Sequence, residues 1–83
     1  MADGKELAAA FGSVVREARK ERGFSQEGFA DHVGVHRTYM GLVERGRNTV
    51  TILTAAKIAE GLGLTLSTLF CQVDAKLAAS LER

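Results

Sequence analysis

The polar side chains of this sequence that are best suited to recognition chemistry are arginines. Arg16, Arg19, Arg22, Arg37, Arg45 and Arg47, together with Lys20, set seven basic side chains against five acidic ones between positions 12 and 48, while the rest of the chain holds four against five. A guanidinium is permanently charged and offers its donors in a planar fork, a shape that fits phosphates, carboxylates and base edges. Net charge over the whole chain is only +1, so the basic bias is local and weak. Other reactive groupings are poorer. His32 and His36 stand four apart with Asp31 beside them, but Gly34 separates the two imidazoles and a third well-placed ligand is missing, so no metal is expected. Glu27 and Asp31 are spaced as a carboxylate pair, yet no cleft-forming segment surrounds them, and a solvated helix face is the simpler reading. No nucleophile, base and orienting residue come together in the sequence, which argues against an enzyme, and no cofactor is expected. Cys71 is the single cysteine, without an internal disulfide partner, as fits a reducing cytoplasm.

Helices must position these residues. At 83 residues, 46% apolar and 25% charged, the chain has room for one domain around one core. It contains no proline, so nine glycines supply the punctuation. Hydrophobic spacing predicts an all-α fold of five helices. The first runs from about Gly4 to Arg22, with Asp3 and Glu6 in capping-box positions and Gly23 as its stop. Ser25 caps a short second helix whose inward residues are Phe29, Ala30 and Val33, and Gly34 ends it. A third helix follows from His36 to Arg45, stopped by Gly46. After the polar Arg47-Asn48-Thr49 loop, a fourth spans about Thr51 to Gly61. Its Ile52, Leu53, Ala55, Ala56, Ile58 and Ala59 cover most of its circumference, as expected of a central, buried helix. Thr65 caps the fifth, where Leu66, Leu69, Phe70, Val73, Leu77 and Leu81 recur at spacings of three and four.

That last stripe continues past the point where a five-helix core is complete. The expected organisation is therefore a single domain over 1–83, with a core at about 5–71 and an apolar helical extension at about 72–83. In the extension Val73, Leu77 and Leu81 form a face for a second copy of the chain, since a continuous exposed apolar stripe is unfavourable in a monomer. The longest charge-free stretch, 61–73, falls short of the roughly 18 apolar residues that a bilayer span needs. Asp3, Lys5 and Glu6 interrupt any signal-peptide core, so a cytoplasmic protein without membrane contact is expected.

Two short helices meeting at Gly34 are the informative feature. A helix-turn-helix needs a tight joint so that its second helix projects at a fixed angle, and glycine suits the left-handed conformation there. Around the third helix at 100° per residue, Tyr39, Met40 and Val43 gather on one side. Arg37, Thr38, Gly41, Leu42 and Arg45 fall on the other, towards solvent or a partner. The wording is more specific than the spacing. Gly23-Phe24-Ser25-Gln26-Glu27, Phe29-Ala30, Gly34-Val35, Tyr39-Met40 and Val43-Glu44-Arg45-Gly46 resemble the lambda-repressor-like, XRE-type helix-turn-helix family. Ile58-Ala59-Glu60-Gly61-Leu62-Gly63 and Leu66-Ser67-Thr68-Leu69-Phe70 are similar to that family's last two helices, so the resemblance covers roughly residues 11–70.

The resemblance implies a compact five-helix DNA-binding domain and a repressor or autoregulator that binds a pseudo-palindromic operator as a homodimer. It puts base contacts at Arg37, Thr38 and Leu42. Arginine suits guanine through two hydrogen bonds, threonine suits either base type, and leucine suits a thymine methyl. It puts phosphate contacts at Ser25, Gln26, Arg47 and Asn48, and His36, Gly41 and Arg45 flank them as further candidates. Arg19 and Glu44 correspond to a structural salt bridge between the first and third helices. His36 stands where the family usually has a Ser or Thr cap, and Gly41, inside the helix, opens a close approach to the DNA backbone. The Arg37-Thr38-Tyr39 run is similar to some controller proteins of restriction–modification systems. The rival reading is a protein-interaction module, antitoxin-like, that uses the same fold with little DNA affinity.

Overall fold

Each helix among the described residues begins where a polar side chain meets an unpaired backbone amide. The computed structural model describes residues 3–81, with the backbone alone for Leu81, so the extreme ends of the expected 1–83 domain and the Leu81 side chain lie outside the described residues. Five helices occupy the described residues: α1 (Gly4–Glu21), α2 (Gln26–Val33), α3 (Arg37–Glu44), α4 (Ile52–Gly61) and α5 (Leu66–Leu81). Asp3 accepts from the Glu6 amide at 2.8 Å and Ser25 Oγ from the Gly28 amide at 2.9 Å. Thr51 and Thr65 do the same for α4 and α5, at 3.1 and 3.0 Å. His36 caps α3 after all: its Nδ1 accepts from the Thr38 amide at 3.1 Å, standing in for a hydroxyl.

Packing follows the apolar stripes. Phe29, Met40, Ile58, Leu69, Val15, Val43 and Val73 are fully buried together, and each contributes about 1.5–3 kcal/mol of burial free energy. α1 is the spine, with α5 and α3 laid against it, and α2 and α4 close the other side. Two close approaches need glycine for want of room. A Cβ on Gly12 would strike the carbonyl oxygen of Val43, which seats α3 on α1, and one on Gly61 would strike Val33 Cγ1, which seats α4 on α2. Ion pairs tie down the surface: Lys76 reaches Glu17 at 2.8 Å between α5 and α1. Arg22 donates from Nε to the Leu62 carbonyl at 2.6 Å, joining the ends of α1 and α4.

Two expectations need correction. α4 is not buried all round. Ala55, Ile58, Ala59 and Leu62 form the only stripe it turns inward, while Ile52 and Leu53 in its first turn are 81% and 77% exposed. That turn carries α4 out past the helices that cover its later half. Val73 is not available to a second copy, because it is 1% exposed within the monomer, and Leu77 is half-buried against the same core. α5 itself runs unbroken from the core into the expected extension, pinned on α1.

Candidate nucleic-acid interface

The α2–α3 joint is built from backbone hydrogen bonds that only a left-handed residue permits. Gly34 sits at φ 79°, and the amides of Gly34 and Val35 both return to the Ala30 carbonyl, at 2.9 and 3.0 Å. This closes α2 in a Schellman-like turn and launches α3 after only Val35 and His36. A residue with a Cβ would resist that conformation by roughly 1–2 kcal/mol.

α3 is then fixed in depth and rotation by a polar network beneath it. Arg19 on α1 grips Glu44 with two parallel bonds, Nε to Oε2 at 2.7 Å and Nη2 to Oε1 at 2.9 Å, and donates a third to the Phe24 carbonyl at 2.8 Å. Both residues are 7% exposed. The hydrogen bonds to Glu44, reinforced by its charge, push the Arg19 pKa upward against the opposing effect of burial. Because the shift is upward for a base, the stability contributed by Arg19's charge is complete below the ordinary arginine pKa and is lost as pH rises through the raised value. Gln26 joins the network by donating from Nε2 to Glu44 Oε1 at 3.2 Å.

Gln26, expected at a phosphate, is thereby tied into the protein's own network as well. It lies half-buried across α3, and its carbonyl oxygen would stand 3.2 Å from a Cβ built on Gly41. Gly41 is accordingly buried beneath Gln26, which corrects its assignment to the outward face. The missing Cβ makes room for a neighbouring side chain of the same molecule. The spacing of α3 alone gives no sign of this, since the obstructing group comes from α2.

The remaining candidates form the outer face. Arg37 and Thr38 are exposed at the start of α3, Leu42 is half-buried one turn on, and Arg45 is exposed at its end, with its guanidinium folded back towards Gly41. His36 is exposed with one ring nitrogen committed to the cap. Ser25 spends an oxygen lone pair on its cap and keeps its hydroxyl proton for donation. Arg47 is exposed and Asn48 half-buried in the following loop. Tyr39 packs on the core and reaches the Thr49 carbonyl at 3.4 Å, which ties that loop to α3. One partner was not expected: Arg37 Nη1 pairs with Glu27 at 2.9 Å, both side chains being about two-thirds exposed. Their positions on successive helices, across a turn, hide this pair from any within-helix spacing rule. His32 stacks on Phe24 at 4.9 Å, a packing role for a residue first weighed as a ligand. Among the described residues no single helix is long and apolar enough to cross a membrane.

Comparison with known proteins agrees with this geometry. The helix-turn-helix family HTH_3 matches residues 15–69. The control protein C.MunI of a Mycoplasma species is 40% identical over 65 residues, covering 77% of this chain and 88% of that protein. The restriction–modification controller C.AhdI from Aeromonas hydrophila superposes with a TM-score of 0.73 at 38% identity, over 76% of this chain and 96% of that one. The controller C.Esp1396I, solved as a tetramer with its natural 35-base-pair operator, superposes at 0.79 and 26% identity over 87% and 95% of the two chains. With the Gly34 joint, the buried Arg19–Glu44 pair and an outward-facing α3 all in place, this chain belongs to the XRE-type helix-turn-helix family of DNA-binding transcriptional regulators.

Proposed function

We propose that this protein binds a pseudo-palindromic operator as a homodimer and, by occupying it, represses or autoregulates a promoter in the cytoplasm. The observation that carries the reading is an α3 fixed from below by Arg19, Glu44 and Gln26 while Arg37, Thr38 and Leu42 stand on its outer side. A helix of this kind fits the major groove, where each base pair presents a distinct pattern of donors, acceptors and methyls. Arg37 reads guanine, Thr38 an adjacent base, and Leu42 a thymine methyl. Ser25, Gln26, Arg47 and Asn48 hold phosphates and set the register. The Arg37–Glu27 pair does not obstruct this. An exposed ion pair is worth about 1 kcal/mol at most, whereas a bidentate arginine–guanine contact supplies about 1–3 kcal/mol of discrimination. DNA therefore wins the arginine.

A second copy belongs on the large apolar side chains that α4 and α5 leave exposed, above all Ile52 and Leu53, with the partly exposed Leu66 and Phe70 as further candidates. This surface replaces the Val73 stripe as the dimer contact. The likeness to a controller solved as a tetramer on its operator supports an oligomeric reading.

The decisive experiment is selection from a randomised duplex pool, with sequencing of the bound fraction and anisotropy measurements at two salt concentrations. A two-fold symmetric site whose half-sites lie about 34 Å apart, with affinity falling as salt rises, is expected. A folded protein that binds no duplex even at low salt overturns the proposal and favours a protein partner.

A further inference from the structure

At the C-terminal end of α3 lies an open cleft of about 760 Å³ lined by Gly4, Lys5 and Ala8 of α1 and by Arg45, Gly46, Arg47, Asn48 and Thr49. Its charges are one-sided. Lys5, Arg45 and Arg47 come together there from two distant stretches of chain, and no carboxylate lines the cleft. Among the described residues none of the three has an ion-pair partner, whereas Arg19, Arg22, Arg37 and Lys76 each have one. Asp3 and Glu6 stand at the same end of α1 but do not line the cleft, and Asp3 is engaged with the Glu6 amide.

The convergence is built into the backbone. Gly46 has φ 70°, and a Cβ on it would stand 2.7 Å from the Ala9 Cα. That contact lays the end of α3 directly on the first turns of α1 and brings Lys5 beside Arg45 and Arg47. Three like charges held around one concavity repel one another unless an anion shares it. The cleft also adjoins the proposed readout helix, because Arg45, which follows the last turn of α3, is one of its lining residues.

We infer that this cleft is a phosphate seat for the DNA backbone, and that Lys5, on the first turn of α1, extends the protein's footprint beyond the helix-turn-helix itself. The inference rests on the duplex-DNA reading above. A phosphate held there sets register without reading sequence, so its loss weakens all duplexes alike.

The test compares Lys5→Ala, Lys5→Arg and Lys20→Ala with the unmodified protein on the selected operator and on an unrelated duplex, from about 50 to about 200 mM salt. Lys20 serves as the control. It lies fifteen residues along the same helix, about 22 Å away, and its removal changes net charge equally. Lys5→Ala is expected to weaken both duplexes by a similar factor and to lower the slope of log affinity against log salt by about 0.9. Its loss of affinity over that salt range then becomes about three- to fourfold smaller than that of the unmodified protein. Lys5→Arg is expected to keep the slope, as is Lys20→Ala. If Lys5→Ala keeps the unmodified slope, or weakens the operator alone, the phosphate seat is overturned while the DNA reading stands. If the unmodified protein binds neither duplex, both fall.

Discussion

At the scale of single residues, two arginines with similar carboxylate partners have opposite roles, and burial separates them. Arg37 and Glu27 are largely solvated, so their attraction is screened and either can be lost without harm to the fold. Arg37→Ala should leave unfolding within about 0.5 kcal/mol of the unmodified protein. On the selected operator it should lose about 1–3 kcal/mol of discrimination at one base position, read by competition against single-base variants. Arg19 and Glu44 are buried, and removing one charge strands the other in a poor solvent. Glu44→Gln should destabilise the fold by about 3–5 kcal/mol in urea unfolding, with DNA binding lost only as far as folding is lost. Pairing Arg19→Met with Glu44→Leu should recover much of that deficit, since an apolar pair needs no such compensation. A loss of affinity from Arg37→Ala that tracked a loss of stability would instead place that residue in the scaffold.

Among the elements, what could be read from sequence depended on whether the cause was local. Ser25, Gly34, Thr51 and Thr65 act on backbone groups within a few residues, and the helix limits they predict match those observed to within about one residue. The Arg19–Glu44 pair was legible only through a resemblance. Gly41 and Ile52 were misplaced because helical periodicity states which face a residue occupies and not what lies against that face. Gln26 crosses to Gly41 from another helix, and among the described residues the Ile52 and Leu53 side chains in the first turn of α4 stay largely uncovered. Val73 was misjudged for the complementary reason: α1 is long enough to cover α5 well beyond Phe70. This distinction is measurable. Val73→Ala should cost about 2 kcal/mol of folding stability, from lost burial and the cavity it leaves, without altering the self-association constant of the folded protein. Weakened association at unchanged stability would return Val73 to an interface.

For the whole molecule the limiting quantity is reach. The eight residues of α3 span about 12 Å, or three to four base pairs of groove, too short a sequence to be distinctive among the many competing sites in a genome. One copy, measuring 34 × 22 × 22 Å over the described residues, presents one such helix, so the proposed operator reading calls for a second copy one helical turn of DNA away. The surface that can hold it must be apolar and exposed, and must lie off the outer face of α3. Ile52 and Leu53 meet the first two conditions more fully than any other large apolar pair among the described residues, and they sit on a different helix from the readout residues. Replacing both by aspartate removes apolar contact area and sets like charges against each other across a two-fold axis, where each substitution faces its own copy. The fold should survive, because neither side chain contributes to the core. If the proposed dimer forms there, sedimentation should report a monomer for the double variant at concentrations where the unmodified protein associates, and affinity for the operator should fall towards the non-specific range of about 10⁻⁴–10⁻⁶ M. If the double variant stays dimeric and keeps its operator, the two-fold contact lies elsewhere, and the exposed turn of α4 is left for a different partner.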